Sequence, residues 1–164
     1  MKTTYRPAKM DTAITIVTAS VFLLLGIFLV LAVSMHEKPM WGAVALLVVV
    51  IAISWPMRPV RYEVSDEAVR IVRTWPFKSI EIPTAEIRDV RPVVLTWRTI
   101  RTCGVGGLFG TGGWFWNKEL GHFLVAMTNG HKLVLISNGG KFVISPDNPD
   151  EFIKDVQSRT GQST

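Results

Sequence analysis

The densest cluster of glycines in this chain lies between residues 104 and 113. It holds six of the 13 glycines and is followed directly by three aromatic residues, 114–116. A glycine-rich backbone can turn its amide groups towards a phosphate, as P-loops and dinucleotide-binding folds do. However, no Gly-Lys-Ser/Thr ends this run, and Phe109 stands where the dinucleotide pattern requires glycine. The sequence therefore does not predict a nucleotide site here.

Two other interpretations of this stretch remain open. In the first, it is a long glycine-permissive loop whose apolar side chains pack against a sheet. In the second, these side chains enter the lipid headgroup layer or grip a partner, since tryptophan favours interfaces and an exposed apolar cluster is unusual on a monomer. The candidate contact residues are Leu108, Phe109, Trp114, Phe115 and Trp116, with Arg98, Arg101 and Lys118 placed to meet lipid phosphates.

The other side chains that could do chemistry are too scattered to form a site. His36, His122 and His131 have no cysteine or clustered carboxylates at metal-ligand spacing. The acids between residues 147 and 155 surround a predicted helix start, where they complement the helix dipole. Cys103 is the single cysteine, and no neighbouring residue type indicates reactivity. We therefore expect no catalytic residue, no metal site and no cofactor.

Two uncharged apolar runs lie in the first third of the chain, at residues 12–34 and 40–57. As helices they would measure about 34 and 27 Å, against a membrane hydrocarbon core near 30 Å. The first run is longer than the apolar core of a signal peptide, which has about 7–15 residues, and a second run follows almost at once. The sequence predicts an uncleaved transmembrane hairpin with an outer loop at 35–39.

Positive charge flanks this hairpin on both outer sides. Lys2, Arg6 and Lys9 precede the first run, and Arg58 and Arg61 follow the second. Because cytoplasmic flanks carry the excess of Lys and Arg, both termini are expected in the cytoplasm. The prediction is a multi-pass protein of the inner (plasma) membrane, with a cytoplasmic tail at 1–11, a cytoplasmic domain at 58–160 and a short tail at 161–164.

The part of the chain after the hairpin is only mildly basic. Residues 58–164 contain 14 Lys and Arg against 11 Asp and Glu. A nucleic-acid-binding face usually carries a much denser basic patch, so we expect no nucleic-acid partner. The modest excess suits a general attraction to anionic membrane lipids.

From residue 60 the pattern changes to short alternating runs that are typical of strands. Val60, Tyr62 and Val64 alternate with charged residues. Further strands are expected at 69–71, 79–83, 87–95, 121–128, 132–137 and 142–145, with Asn129-Gly130 as a hairpin turn. An amphipathic helix follows, with Asn148 as its N-cap and Gly161 at its end. The sequence predicts six or seven antiparallel strands in a bent sheet or partly open barrel, covered at one end by the helix.

This order of elements resembles the bacterial pleckstrin-homology-like (PH-like) domain family, including members that place the domain after a two-span membrane hairpin. The similarity covers roughly residues 59–159 and is carried by the segments GGLFG at 106–110, LGHF at 120–123, AMT at 126–128 and VISPDNPDEF at 143–152. The resemblance implies a strand-rich barrel closed by a C-terminal helix and used for binding or assembly. In members that bind phosphoinositides the first hairpin turn is basic, whereas Ser65-Asp66-Glu67 here is acidic.

The predicted fold class is α+β: a two-helix transmembrane hairpin, then an antiparallel PH-like β-barrel or bent sheet capped by a C-terminal helix. The predicted function is a membrane-anchored, non-catalytic binding or assembly module. It would contact membrane lipids, recruit a protein partner or self-associate. The alternative is a membrane enzyme, or an accessory subunit of a membrane enzyme or transporter, acting on lipid or envelope substrates.

Overall fold

The computed structural model describes residues 2–35, 38–96 and 98–161. These residues form two long helices, α1 (Thr12–Met35) and α2 (Lys38–Met57), and a shorter last helix, α3 (Pro149–Thr160). The strands are β1 (Thr3–Tyr5), β2 (Pro59–Val64), β3 (Ala68–Arg73), β4 (Ile80–Pro83), β5 (Asp89–Pro92), β6 (Ile100–Gly106), β7 (Thr111–Asn117), β8 (Gly121–Met127), β9 (Val134–Ser137) and β10 (Lys141–Ile144). A single 3-10 turn at Thr84–Glu86 joins β4 to β5.

The two long helices confirm the predicted pair of apolar helices. Both are long and apolar enough to cross a membrane, and only 6% and 11% of their most apolar windows are buried within the chain. The core helix of a water-soluble protein would be mostly buried, so these helices present apolar surface outwards. The predicted outer loop at 35–39 includes His36 and Glu37, which lie outside the described residues.

The strands form two sheets, which confirm the predicted β-rich domain with a C-terminal helix. One sheet has the order β1-β2-β3-β4 and the other β5-β9-β10-β8-β7-β6. Neighbouring strands are antiparallel except β8 and β10, which are parallel. Phe152 and Val156 of α3 enter the core between the sheets. The buried Tyr62 hydroxyl ties the sheets together by donating to the carbonyl oxygen of Ala126 at 2.9 Å.

The predicted hairpin turn at Asn129-Gly130 is wrong. Strands β8 and β9 do not pair, because β10 lies between them. The turn contacts the N-terminal segment instead: the Asn129 side-chain amide donates to the carbonyl oxygen of Lys9 at 2.9 Å, and the Gly130 amide donates to the Asp11 carboxylate at 2.9 Å. Asn-Gly here serves a tertiary contact, which a local turn rule does not detect.

The N-terminal segment, expected as a tail at 1–11, is part of the folded domain. Strand β1 adds to the edge of the first sheet beside β2. The Tyr5 ring lies edge-on to Phe152, with centroids 5.2 Å apart, and the Tyr5 hydroxyl donates to Asp155 at 3.0 Å. Burial, followed by that hydrogen bond, raises the pKa of Tyr5 to about 12, so the hydroxyl stays a donor at neutral pH.

A buried carboxylate also joins the N-terminal segment to β2. The Glu63 side chain is 6% exposed and accepts hydrogen bonds from Lys2 Nζ at 2.9 Å and Arg61 Nε at 2.7 Å. Burial raises the pKa of Glu63, but the hydrogen bonds from Lys2 and Arg61 outweigh it, so the pKa lies below its ordinary value. Two cations thus keep this carboxylate ionised in the folded domain.

Both ends of the helix pair are attached to the domain. Asp11 caps α1 by accepting a hydrogen bond from the Ile14 amide at 2.9 Å, while its second oxygen accepts the bond from Gly130. At the other side, α2 ends at Met57 and only Arg58 separates it from β2. The domain therefore contacts α1 and α2 through short connections.

The predicted glycine-rich loop at 104–113 is wrong, because these residues belong mostly to the paired strands β6 and β7. Only the turn 107–110 lies between the strands, and it packs against the two long helices. The Phe109 ring meets Phe22 of α1 and Trp55 of α2, with centroid distances of 6.0 and 4.9 Å. The Phe109 amide also donates to Thr18 Oγ1 at 3.1 Å. We call this contact the Phe109 socket.

Strand directions define two ends of the domain. Strand β2 leaves α2, so its start is near the helices, and antiparallel β3 returns to them with Arg73 opposite Pro59. Likewise β7 starts at the Phe109 socket and runs away from it, and β8 returns. We refer to the helix-proximal end and the distal end of the domain.

We expect Tyr5→Ala to lower the free energy of unfolding by about 3 kcal/mol, because it removes a buried ring from the core. The matched control is Thr4→Ala, whose side chain is exposed in the same strand and should cost less than about 0.5 kcal/mol. Chemical denaturation of the full chain in detergent, followed by tryptophan fluorescence, measures both. Equal effects of the two variants would contradict the integration of β1.

The lowered pKa of Glu63 predicts a pH dependence. A carboxylate whose pKa is lower in the folded than in the unfolded state stabilises the fold above the unfolded pKa, and this stabilisation is lost as the pH falls through the folded pKa. Glu63→Gln should therefore lower stability at pH 7 and flatten the loss of stability below about pH 5. A denaturation series over pH for both proteins tests this, and parallel curves would refute it.

Phe109→Ala should loosen the domain on the helices, since removing a buried aromatic ring costs about 3 kcal/mol of packing. Spin labels at Leu23→Cys in α1 and Lys154→Cys in α3, in a Cys103→Ser background, report the distance between the two parts. We expect this distance distribution to broaden. Phe115→Ala, which empties a buried position away from the helices, is the control and should leave the distribution narrow.

Candidate functional site

The two sheets overlap only in part, and this leaves a cleft. The core between them draws its residues in the six-stranded sheet from β5, β9, β10 and β8. Strands β7 and β6 continue the sheet beyond β8. Their face on the side of the first sheet is therefore not covered by that core.

A cavity of about 200 Å³ lies in this cleft, between the end of α2, the β3–β4 region and the β6–β7 hairpin. Three of its lining residues are glycines of β6 and β7, and because they carry no side chain they leave this side of the cavity open. Its lining residues are Met57, Arg73, Ile80, Cys103, Gly104, Gly112, Gly113, Trp114, Leu124, Val125 and Ala126.

Exposed apolar side chains extend the cleft towards the distal end. Trp114 is 51% exposed, Ile100 is 58% exposed, and Trp116 is also exposed. Ile100 lies directly opposite Trp116 across β6 and β7, so the two side chains share one face. Phe115, between the tryptophans, points to the opposite face and is buried beside Phe123. This alternation places the two tryptophans on one face of the sheet and Phe115 on the other. We call the buried cluster around Phe115 and Phe123 the second core. We call Ile100, Trp114 and Trp116 the tryptophan face.

Strand β6 borders the tryptophan face and is the last strand of its sheet. Arg101, Thr102, Cys103 and Gly104 are all exposed. The register shifts between Arg101 and Cys103, which marks a bulge in the strand. An edge strand offers unpaired amide and carbonyl groups to a further strand, and the bulge limits how far such pairing can extend.

The cavity in the cleft is lined mainly by uncharged residues. Arg73 is the one charged residue among those lining the cavity in the described part of the chain. Its Nε and Nη2 donate to the carbonyl oxygen of Lys78 at 3.1 and 2.6 Å. Burial lowers the pKa of Arg73, yet an arginine remains charged at neutral pH. The cleft therefore provides apolar contact, one cation and a strand edge.

The structure does not bring the eight candidate contact residues together. Leu108 and Phe109 are buried, and Phe109 already contacts α1 and α2. Phe115 is buried in the second core. The two tryptophans remain exposed on one face. The three basic residues Arg98, Arg101 and Lys118 are exposed too, with Lys118 following the distal end of β7.

Several residues of the cleft were not candidates from the sequence. Ile100 carries no signal beyond its apolar side chain, and Met57, Ile80 and Leu124 come from three separate elements. The alternation of Trp114, Phe115 and Trp116 along a strand was the local signal that could have distinguished the exposed tryptophans from the buried Phe115. Because the sequence-based prediction treated this stretch as part of a loop, it did not use the alternation.

The two histidines in the described part of the chain lie at opposite ends of β8. His122 is exposed opposite Trp116, and His131 is exposed after β8. No group of three or more His, Cys, Asp or Glu side chains that could hold a metal ion occurs among the described residues. Of the acids near α3, Asp155 pairs with Arg159 at 2.8 Å. This ion pair joins successive turns of α3.

Comparison with known proteins agrees with the architecture. Neither the curated proteins nor the solved structures contain a match to this chain. A family model described as Bacterial PH domain matches residues 60–160, which is more than half of the chain and covers β2 to α3. With its two sheets, closing helix and N-terminal apolar helices, the chain belongs to the bacterial PH domain family.

Proposed function

We propose that this chain is a membrane-anchored, non-catalytic binding module that holds an apolar segment of a partner protein in the cleft beside α2. The helices α1 and α2 span the membrane, and the domain lies on the cytoplasmic side. The flanking cations support this orientation: Lys2, Arg6 and Lys9 precede α1, and Arg58 and Arg61 follow α2. Because β1 binds to β2, both flanks are on the same side of the membrane.

The observation that carries the proposal is the tryptophan face. Three large apolar side chains are exposed together, next to a cavity and to the unpaired outer edge of strand β6. Contiguous apolar surface of this kind marks contact sites on folded domains, and tryptophan is enriched among the residues that dominate binding energy. The fold does not need these side chains for its core, since Phe115 and Phe123 fill the other side of the sheet.

A protein segment suits this face better than lipid. Trp116 lies five positions beyond Thr111, where β7 begins at the helix-proximal end. At 3.3 Å per residue this is roughly 17 Å along a strand that runs away from the helices. Headgroup contact would require the domain to lie flat on the membrane, and the Phe109 socket and the short connection at Arg58 oppose that. A strand or helix presented by a neighbouring protein reaches this height directly.

The test is site-specific photocrosslinking in intact membranes. Replacing Trp114 by p-benzoylphenylalanine should give an adduct of discrete mass, identified by mass spectrometry. The control places the same group at Lys154, which is exposed on α3 and should give no such adduct. An adduct at twice the mass of the chain would identify a second copy as the partner. Absence of an adduct at 114, or equal yields at both positions, would contradict the proposal.

The energetic counterpart is a double substitution of the tryptophan face. Trp114→Ala with Trp116→Ala should reduce partner recovery from membranes by about 30-fold or more, since truncating a central hot-spot residue costs at least about 2 kcal/mol. Both side chains are exposed in the free chain, so stability should change by less than about 1 kcal/mol. Recovery that is unchanged in a stable double variant would overturn the assignment of this face.

A further inference from the structure

The β3–β4 turn, residues 74–79, is at the helix-proximal end and has no role in the cleft contact proposed above. Strand β3 ends at Arg73, which lies opposite Pro59, the first residue of β2. Met57, Arg73 and Ile80 line one cavity, so both sides of the turn are close to the end of α2. The turn therefore continues from the sheet towards the level of the helices.

This turn carries the most exposed large apolar side chain in the described residues. Trp75 is 87% exposed. The turn itself is well bonded: Arg73 donates twice to the carbonyl oxygen of Lys78, and the Phe77 amide donates to the carbonyl oxygen of Thr74 at 3.1 Å. Trp75 is thus held outwards by a closed turn, and its exposure does not follow from a missing core.

The depth of Trp75 can be compared with that of Trp55 in α2. Arg73 lies opposite Pro59, which is two residues beyond the end of α2, and the chain continues from Arg73 to Trp75 at this end of the sheet. Trp75 is therefore placed on the side of the domain that faces the last turn of α2. Trp55 occupies that turn, and the Arg58 guanidinium lies 3.9 Å from its ring centroid. Tryptophan and a cation at the end of an apolar helix are typical of the membrane–water interface.

Charge complements this position. The turn 74–79 contains Lys78 and no acidic residue. Lys78 is exposed, and Arg58 directly follows α2 and lies over the Trp55 ring. Lipid phosphates lie in the interfacial layer of a membrane, and basic side chains near an anionic membrane surface are attracted to them. An indole with its apolar body inward and its N–H towards water fits the same layer.

We propose that the β3–β4 turn is a membrane-contact wedge, in which Trp75 enters the lipid headgroup layer and Lys78 faces the lipid phosphates. This rests on the membrane anchoring in the proposed function. The wedge supports the domain at a second point beside α2, so that the domain stands on the membrane with Trp116 and Ile100 of the tryptophan face held above it. The occupant of this surface is the bilayer that α1 and α2 cross.

The experiment uses the full chain in nanodiscs of phosphatidylcholine and phosphatidylglycerol. In a Cys103→Ser background, nitroxide labels are placed at Trp75→Cys, at Trp116→Cys and at Leu23→Cys in the middle of α1. Collision with oxygen reports lipid depth, and collision with a water-soluble nickel chelate reports exposure to water. We expect Leu23→Cys to be deepest and Trp75→Cys to show several-fold less nickel collision than Trp116→Cys at the distal end, although Trp75 is the more exposed of the two side chains in the chain alone, 87% against 38%.

The native side chain is tested by fluorescence. The difference in emission between the parent chain and Trp75→Phe isolates the emission of Trp75, which dibrominated phosphatidylcholine should quench; the corresponding Trp116 difference should not be quenched. Lys78→Glu should raise nickel collision of the label at residue 75 in anionic nanodiscs.

The outcomes separate the two proposals. If the label at Leu23→Cys is protected but labels at 75 and 116 are equally open to nickel, and Trp75 emission is not quenched, the wedge is overturned and the anchoring stands. If the label at Leu23→Cys is itself open to nickel, the anchoring is wrong and the wedge fails with it. Because Trp75 is exposed, its substitution should leave the circular dichroism spectrum unchanged.

Discussion

The contact between the domain and its two long helices determines how every other surface of this protein is presented. Phe109 inserts between Phe22 and Trp55, and the N-terminal segment binds the domain before entering α1. A domain joined to a helix by one flexible linker could present any face. Here the domain contacts α1 and α2 on several sides, so a residue's position along a strand becomes a height above the helices. The different roles proposed for the tryptophan face and the β3–β4 turn rest on this difference in position.

The hairpin that carries Phe109 depends on the close approach of the β6 and β7 backbones at two glycines. A Cβ added to Gly113 would lie 2.6 Å from the Gly104 Cα, and one added to Gly104 would lie 2.6 Å from the Gly113 Cα. Gly104 has a φ of +129° and Gly113 a φ of +136°, and residues with L side chains rarely adopt such positive angles. The turn itself holds Phe109 at φ 59°, an uncommon conformation for a bulky residue. Steric requirements therefore explain the glycines of this hairpin. They allow the two strands to pack closely, whereas the glycines of a phosphate-binding loop turn amide groups towards a ligand.

Local sequence rules predicted the elements whose stabilising groups are adjacent in the chain. Two apolar helices, the alternating strand β2 and the helix after Asn148 all follow from neighbours a few residues apart. The rules failed where a distant partner decides. Three residues of β1 are too few for a periodic signal, and their pairing depends on the edge of β2. Asn129-Gly130 has strong local turn chemistry, yet β10 occupies the place of its expected partner strand.

The sequence by itself determined that this chain has two apolar helices and a β-rich domain, because burial of apolar surface and backbone hydrogen bonding act through period and composition. The PH-like family was indicated by resemblance in particular segments, such as residues 143–152. The sequence also identified Trp114 and Trp116 as contact candidates. Only the tertiary structure decided which aromatic residues are available. Phe109 is occupied by the helices, Phe115 by the second core, and Trp75, a single residue in a short turn, becomes prominent because β3 returns to the end of α2. Exposure and height are properties of strand register and packing, and no window of sequence contains them.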